Sequence, residues 1–159
     1  LQTMGAGLDW QEGTVSCRAH SLQGCTIDAA QCPDIIPPLA AVAALAKGQT
    51  RIINASRLRI KECDRLHAVA KELGALGADI TEGEDFLTIR GVQELAGGTV
   101  VDSHLDHRMA MTLAVAATRC KAPIVLRGPG CVAKSYPGFY EDYTKLGGMY
   151  HEFHVGESL

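Results

Sequence analysis

The sequence repeats itself at a spacing of about 73 residues, and this repeat restricts the possible folds more than any other feature. The matching segments begin, pair by pair, at Met4 and Leu76, at Ile27 and Val101, and at Arg59 and Val132. Each pair shares its pattern of apolar, small and charged residues. A chain made of such copies folds into similar supersecondary units, which need their neighbours to bury a continuous core.

Hydrophobic periodicity within one repeat predicts the order strand, helix, strand, helix, strand, strand. The alanine-rich run 35–47 predicts a buried helix, with Pro37 and Pro38 in its first turn and Gly48 just after its end. Apolar residues at helical spacing predict a second helix over 66–76. The predicted strands lie at 50–54, 78–81 and 86–91, and the last two form a hairpin around a turn at 82–85.

The second copy is predicted to contain a strand at 99–102, a helix over 106–119, a strand at 122–126, a helix after Pro137 and a final strand over 149–154. Residues 1–23 match only the back end of a unit. We therefore expect residues 1–159 to form one partial domain of a longer protein, with an α/β (α+β) fold of repeated βαβαββ units. The internal units are expected at about 1–26, 27–98 and 99–159.

The composition, with 47% hydrophobic residues, 21% charged residues and a net charge of -3, is that of an ordinary globular protein. It provides no global positive field that would attract nucleic acid or an anionic membrane. No apolar run approaches the roughly 20 residues that span a bilayer, and the start LQTMGAGLDW lacks the pattern of a signal peptide. We therefore expect a cytoplasmic location. The cysteines form no Cys-x-x-Cys pair, which favours reduced thiols.

Cationic side chains are concentrated at or just before the predicted helix starts. The repeat aligns Asp34 with Arg108 and Lys61 with Lys134, and Arg65 follows in the charged stretch LRIKECDR. A cation at a helix N-terminus opposes the helix dipole, whereas the free N–H groups there favour an anion. We therefore predict a local phosphate or carboxylate site. The alternative for this stretch is a set of surface ion pairs, each worth under about 1 kcal/mol.

Two other kinds of site are disfavoured by geometry and chemistry. His104, Asp106 and His107 in HLDHRMAM could be metal ligands, but neighbouring side chains on a helix diverge, so we predict no metal site. Cys63 has no evident base partner beyond His67, which disfavours a nucleophilic role.

Four segments of the sequence together carry a family resemblance. They are CPDIIPPLAAVAALAKGQTRI from Cys32, RLRIKECDRL from Arg57, LDHRMAMTLAVAA from Leu105 and CVAKSYPGFYEDY from Cys131. In this combination and order they resemble the C-terminal part of the 5-enolpyruvylshikimate-3-phosphate synthase family. The resemblance extends from about Met4 to Gly148, which is nearly the whole chain.

The resemblance implies the enolpyruvyl transferase fold, in which two similar domains each contain three βαβαββ units, with helices packed inside and sheets outside. The implied reaction transfers the enolpyruvyl group of phosphoenolpyruvate to the 5-hydroxyl of shikimate 3-phosphate and releases phosphate, without a metal or organic cofactor. The implied partners are these substrates and the N-terminal domain of the same full-length chain, with no nucleic acid and no membrane. We expect a monomer at full length, and an inactive domain alone because the site closes only between two domains.

The resemblance also implies roles for individual residues. Asp34 matches a carboxylate that holds the attacking hydroxyl and acts as a base. Lys61 beside it is a second candidate for proton transfer, and both would contact shikimate 3-phosphate. Glu62 matches the residue proposed to protonate the methylene carbon. The residues matched to phosphoenolpyruvate binding are Arg65, Arg108, Lys134 and His107. Which lysine or carboxylate moves which proton stays open.

The sequence departs from the family pattern at two positions and leaves two rival functions. Arg57 stands where some members place an asparagine, and Cys63 stands where serine or threonine is common. One alternative is a UDP-N-acetylglucosamine enolpyruvyl transferase, which shares the fold and chemistry but not the pairing of DHRMAM with KECDR. The other is a non-catalytic anion-binding module.

Overall fold

The computed structural model describes residues 1–18 and 20–153 of the chain. The strands are β1 (Gly7–Gln11), β2 (Thr14–Arg18), β3 (Thr26–Asp28), β4 (Gln49–Ile53), β5 (Asp79–Glu82), β6 (Leu87–Arg90), β7 (Leu95–Gly97), β8 (Val100–Asp102), β9 (Cys120–Ala122) and β10 (Val125–Arg127). The α-helices are α1 (Ile36–Ala43), α2 (Arg65–Ala75), α3 (His107–Ala117) and α4 (Phe139–Lys145). Short 3₁₀ helices include Pro33–Ile35, Ser56–Ile60 and Pro129–Lys134.

The first complete unit forms a four-stranded mixed sheet in the order β3-β4-β6-β5. Strands β3 and β4 are parallel and are connected by α1, while β6 pairs antiparallel with both β4 and β5. Along β4, Thr50 and Ile52 are buried whereas Gln49 and Arg51 are exposed. This alternation places one face of the sheet on the core. The predicted βαβαββ order is confirmed for this unit.

The other parts of the chain follow the same plan. Strands β8 and β10 are parallel and are connected by α3, as β3 and β4 are by α1. The β1–β2 hairpin matches the β5–β6 hairpin one repeat later. A parallel pair of β7 with β9, which sequence reasoning did not predict, matches a bridge between Gln23 and Lys47 in the preceding repeat.

Helices α1, α2 and α3 contact one another in the interior, and the four-stranded sheet lies outside them. In α2, Leu66, Val69 and Leu73 recur at helical spacing and are fully buried. Gly77 ends this helix with a left-handed φ of 101°, and the N–H of Ala78 donates to the carbonyl of Leu73. The fold therefore has helices inside and sheets outside, as the resemblance implied.

Several predicted boundaries were wrong. Helix α1 ends at Ala43, because the N–H groups of Leu45 and Ala46 bond three residues back and tighten the chain into turns. The predicted strand 122–126 is divided between β9 and β10, since Pro123 between them has no N–H to donate. The predicted final strand is not formed over residues 149–153, and His154 lies outside the described residues.

The α-helices are short, and the longest of those described, α2 and α3, have 11 residues each. Across the described residues, we find no helix with both the length and the apolar character needed to cross a membrane.

Candidate anion-binding site

Charged side chains from two repeat units meet at the N-terminal ends of α2 and α3. The cluster, called the charged cluster below, consists of Asp34, Lys61, Glu62, Arg65, Asp106, Arg108 and Lys134. Three ion pairs connect one unit to the other, and they are Asp34–Arg108, Arg65–Asp106 and Glu62–Lys134. The structure therefore brings together residues that the sequence analysis selected separately.

Arg65 lies at the centre of the charged cluster. It is the first residue of α2, and its side chain has no exposed surface. Its Nε donates to Asp106 Oδ2 at 2.8 Å, its Nη1 to Asp34 Oδ1 at 3.0 Å, and its Nη2 to Glu62 Oε2 at 2.6 Å. These charge-assisted bonds offset the cost of burying the guanidinium. A substrate anion can reach Arg65 only by replacing one of the three carboxylates.

Asp34 lies in the 3₁₀ helix before α1 and is surrounded by cations. Lys61 Nζ lies 3.3 Å from its Oδ1, and Arg108 Nη2 lies 3.5 Å from its Oδ2. Burial acts to raise the pKa of Asp34, but hydrogen bonds from Lys61 and Arg65 and the charge of Arg108 outweigh it and lower the pKa. Because its pKa is lowered, the carboxylate is ionised at neutral pH. The side chain is 48% exposed, which makes it accessible to a ligand.

Lys134 has the most exposed side chain of the charged cluster, and it pairs with Glu62. Lys134 ends the 3₁₀ helix before α4, and its Nζ donates to Glu62 Oε1 at 3.0 Å. This bond, with a backbone hydrogen bond and the charge of Arg65, lowers the pKa of Glu62 to about 2. The Lys134 side chain is 59% exposed, which leaves donors free for an incoming anion.

Asp106 is a site residue that the sequence analysis considered only as a metal ligand. It is the N-cap of α3, and its Oδ1 accepts hydrogen bonds from the backbone N–H groups of Arg108 and Met109. Its Oδ2 accepts from Arg65 and from the Cys63 thiol, the latter at 3.7 Å. The cap fixes the first turn of α3 and therefore the position of Arg108. The sequence signal that could have identified Asp106 as the N-cap is the preference for Asp immediately before an apolar helical run.

The residues of HLDHRMAM have separate partners. His104 Nε2 lies 2.8 Å from Glu72 Oε1, while Asp106 binds Arg65. His107 is buried, and its Nδ1 has no hydrogen-bond partner among residues 1–18 and 20–153. Within those residues, no group of three His, Cys, Asp or Glu side chains could hold a metal ion.

The charged cluster combines four cations with three carboxylates, so its formal charge is positive by one unit. An anion that enters can take over the donors of Lys61, Arg108 and Lys134, which are partly exposed. Arg108 presents a planar fork suited to carboxylate or phosphate oxygens. The arrangement can therefore bind a compact anion next to two carboxylates, Asp34 and Glu62, that can exchange protons with it.

The two departures from the family pattern are Arg57 and Cys63, and Cys63 contacts the charged cluster through Asp106. Arg57 is exposed and donates from Nη1 to the carbonyl of Ala30 at 3.1 Å. Burial and the adjacent Asp106 carboxylate raise the pKa of the Cys63 thiol to about 12. Cys63 is therefore a protonated thiol at neutral pH, which argues against a nucleophilic role.

Solved structures define the class of protein to which this fold and site belong. The chain superposes on an EPSP synthase from Acinetobacter baumannii with a TM-score of 0.84 and 32% identity, covering 93% of this chain and 38% of that one. It also superposes on the enolpyruvyl transferase NikO from Streptomyces tendae with a TM-score of 0.78 and 27% identity, covering 92% of this chain and 33% of that one. The fold is that of the enolpyruvyl transferases.

The family within that class follows from the sequence. The family model described as EPSP synthase (3-phosphoshikimate 1-carboxyvinyltransferase) matches residues 1–143, and the chain belongs to this family. A 3-phosphoshikimate 1-carboxyvinyltransferase from Clostridium perfringens is 59% identical over 94% of this chain, and one from Clostridioides difficile is 53% identical over 99%. The chain spans 35% and 36% of the lengths of these two relatives.

Proposed function

We propose that this chain supplies the phosphoenolpyruvate-binding half of an enzyme that joins phosphoenolpyruvate to shikimate 3-phosphate. The product retains the enolpyruvyl group on the 5-hydroxyl oxygen of the shikimate ring, and inorganic phosphate is released. The observation that carries this proposal is the charged cluster, in which cations and ionised carboxylates from two repeat units converge. Membership of the EPSP synthase family supports the choice of substrates.

The reaction requires proton transfers in both directions, and the charged cluster contains groups for both. As the 5-hydroxyl oxygen bonds to C2 of phosphoenolpyruvate, the hydroxyl loses its proton and the methylene carbon gains one. In the second step the methyl carbon loses a proton and the C2–O bond to phosphate breaks. Asp34 is ionised and 48% exposed, so it can accept the hydroxyl proton, and Lys61 lies 3.3 Å from it to share that task.

Glu62 is proposed as the group that protonates the methylene carbon, which requires a protonated carboxyl. In the structure its ion pair with Lys134 keeps the carboxyl ionised. A substrate anion that binds Lys134 competes with Glu62 for the ammonium group, and loss of the ion pair raises the pKa of Glu62. Binding of phosphoenolpyruvate by Lys134 and Arg108 therefore favours protonation of Glu62. Arg65 and His107 complete the proposed phosphoenolpyruvate site.

A second domain completes the enzyme in this proposal. The charged cluster is open on the side of Asp34 and Lys134, and no described residue covers their exposed surfaces. We propose that the N-terminal domain of the same full-length chain supplies further shikimate 3-phosphate contacts and closes over this side. The proposed enzyme is cytoplasmic and monomeric, uses neither metal nor organic cofactor, and has no nucleic acid or membrane partner.

The test is phosphate release by the full-length protein with both substrates present. Turnover is expected with phosphoenolpyruvate and shikimate 3-phosphate, and no turnover with phosphoenolpyruvate alone. Turnover with UDP-N-acetylglucosamine in place of shikimate 3-phosphate would identify the protein as a UDP-N-acetylglucosamine enolpyruvyl transferase and would overturn the proposed acceptor. Binding of phosphoenolpyruvate without turnover on either acceptor would instead identify an anion-binding module and overturn the proposal.

A further inference from the structure

We infer that Glu72 is a positioning residue for the proposed reaction, because it fixes the segment that carries Asp106 and Arg108 into the charged cluster. Glu72 lies on α2 outside the charged cluster, and its side chain is only 4% exposed. Its Oε2 accepts the backbone N–H of Asp102 at 3.0 Å, and its Oε1 lies 2.8 Å from His104 Nε2. The inference rests on the proposed function.

The segment held by Glu72 is residues 102–106, which connect β8 to α3. His104 and Leu105 have left-handed backbones with φ of 52° and 56°. A bulky residue such as leucine rarely adopts this conformation, and it persists only where surrounding contacts enforce it. The segment is thus a strained connection, and its last residue, Asp106, is the N-cap of α3.

Hydrogen bonds within the connection account for part of its conformation. Asp102 Oδ1 accepts the N–H of His104 at 2.6 Å, and Ser103 Oγ accepts the N–H of Leu105 at 3.2 Å. Ser103 Oγ also donates to the carbonyl of Gly128 at 3.0 Å. Glu72 adds the contacts that attach this connection to α2.

Side chains of α2 bind the connection between β8 and α3 at the beginning and at the end of that connection. Arg65 and Glu72 are separated by two helical turns and therefore share one face of α2. Arg65 holds Asp106 at the end of the connection, and Glu72 holds Asp102 and His104 at its beginning. Without Glu72, the bond from Arg65 to Asp106 is the one remaining hydrogen bond from an α2 side chain to this connection among the described residues. The first turn of α3, and with it the guanidinium of Arg108, then loses part of its fixed position.

The preceding repeat holds the equivalent connection by different groups. There Asp28 Oδ1 accepts the N–H of Ala30, which repeats the turn at Asp102 and His104. Asn54 donates to Asp28 Oδ2 at 3.0 Å, and Arg57 donates to the carbonyl of Ala30. Each repeat therefore fixes the turn after its first strand by a side chain from another element. In the second repeat that side chain is Glu72.

The test compares Glu72→Ala and Glu72→Gln in the full-length enzyme, with Glu94→Gln as a matched control on an exposed ion pair. Displacement of Arg108 weakens phosphoenolpyruvate binding, so Glu72→Ala is expected to raise KM for phosphoenolpyruvate about tenfold. Because the guanidinium is displaced and not removed, any fall in kcat should be smaller than the fall of about tenfold expected for Arg108→Ala. The amide of Glu72→Gln still accepts the Asp102 N–H and still meets His104, so it should restore KM to within about threefold of the parent. Glu94→Gln should leave both constants unchanged.

A loss of folded enzyme alone would lower the apparent kcat and leave KM unchanged, and this result would overturn the inference. An unchanged KM in a folded Glu72→Ala enzyme would do the same. If Glu72→Ala does not fold, KM for phosphoenolpyruvate is measured on His104→Asn instead. Asparagine tolerates the left-handed backbone but does not reach Glu72. A raised KM supports the inference and an unchanged KM overturns it. Absence of turnover in the parent enzyme would instead contradict the proposed function.

Discussion

Arg65 Nε lies 2.8 Å from Asp106 Oδ2, and neither side chain has any exposed surface. The pair joins α2 of one repeat unit to the N-terminus of α3 in the next. Because Asp106 also caps α3, a single carboxylate orients the buried cation and fixes the helix turn that bears Arg108.

Asp106→Ala should lower the free energy of unfolding by about 3 to 5 kcal/mol, because it breaks a buried ion pair and removes a helix cap. Asp106→Asn retains the cap through its amide oxygen but places an NH2 donor against Arg65 Nε, so it should still lose the ion pair. Its loss should be smaller than that of Asp106→Ala by the value of the cap, about 1 kcal/mol. Asp64→Ala, at the exposed N-cap of α2, is the matched control and should cost about 1 kcal/mol. Urea unfolding provides the measurement, and equal losses for the two alanine variants would contradict the role assigned to burial.

Glu62→Gln should weaken the loss of stability in acid. The pKa of Glu62 is about 2 in the folded state against an ordinary 4.5, so the unfolded state binds more protons between these values. The stabilisation is fully present above about pH 4.5 and is lost as the pH falls through about 2. Unfolding free energies measured from neutral pH into acid should fall less steeply for Glu62→Gln than for the parent.

Thr50→Val should be neutral or stabilising by up to about 1 kcal/mol. The Thr50 side chain is buried in β4, and its hydroxyl has no hydrogen-bond partner among the described residues. Valine has nearly the same shape without the buried polar group. Thr50→Ser keeps the hydroxyl, loses the methyl group and should cost about 1 kcal/mol. If the Thr50→Val protein unfolds at a lower urea concentration than the parent, the Thr50 hydroxyl makes a stabilising hydrogen bond, which would contradict this prediction.

In the full-length enzyme, Lys61→Ala or Arg108→Ala should lower kcat at least about tenfold, which corresponds to 1.4 kcal/mol of barrier. Arg108→Lys should also be impaired, because lysine keeps the charge but lacks the planar fork. Lys121→Ala is the control, since Lys121 pairs only with exposed Glu94 among the described residues. Steady-state phosphate release measures the effect, and near-parental rates in both alanine variants would remove these residues from the site.

Alkylation should reach Cys17 much sooner than Cys63. Cys17 is exposed on β2, whereas Cys63 is partly buried with its thiol pKa raised to about 12. Since the thiolate is the reactive form, Cys63 should react slowly at neutral pH. Peptide mapping after brief treatment with iodoacetamide tests this order. Asp106→Asn should raise the reactivity of Cys63, because it removes the carboxylate that disfavours the thiolate.

The sequence by itself determined the repeated unit and the class of each main element. Apolar residues recur at helical spacing in α2, and alternation marks the β5–β6 hairpin, so local periodicity was sufficient for both. It also identified Asp34, Lys61, Arg108 and Lys134 as residues at matching positions of two repeats. The ends of the elements were predicted less well than their positions. The end of α1 depends on where the N–H groups change from bonding four residues back to bonding three residues back, and the alanine-rich sequence does not distinguish these two patterns.

Only the tertiary structure decided which charges meet. Arg65 and Asp106 are 41 positions apart in sequence, and nothing in the spacing of either repeat specifies an ion pair between them. The same applies to Glu72 and His104, which are 32 positions apart. A periodic pattern records which face of an element is apolar, whereas an ion pair depends on how two such elements pack to within a few ångströms. The packing of α2 against the start of α3 therefore buries Arg65 and fixes the connection before Arg108.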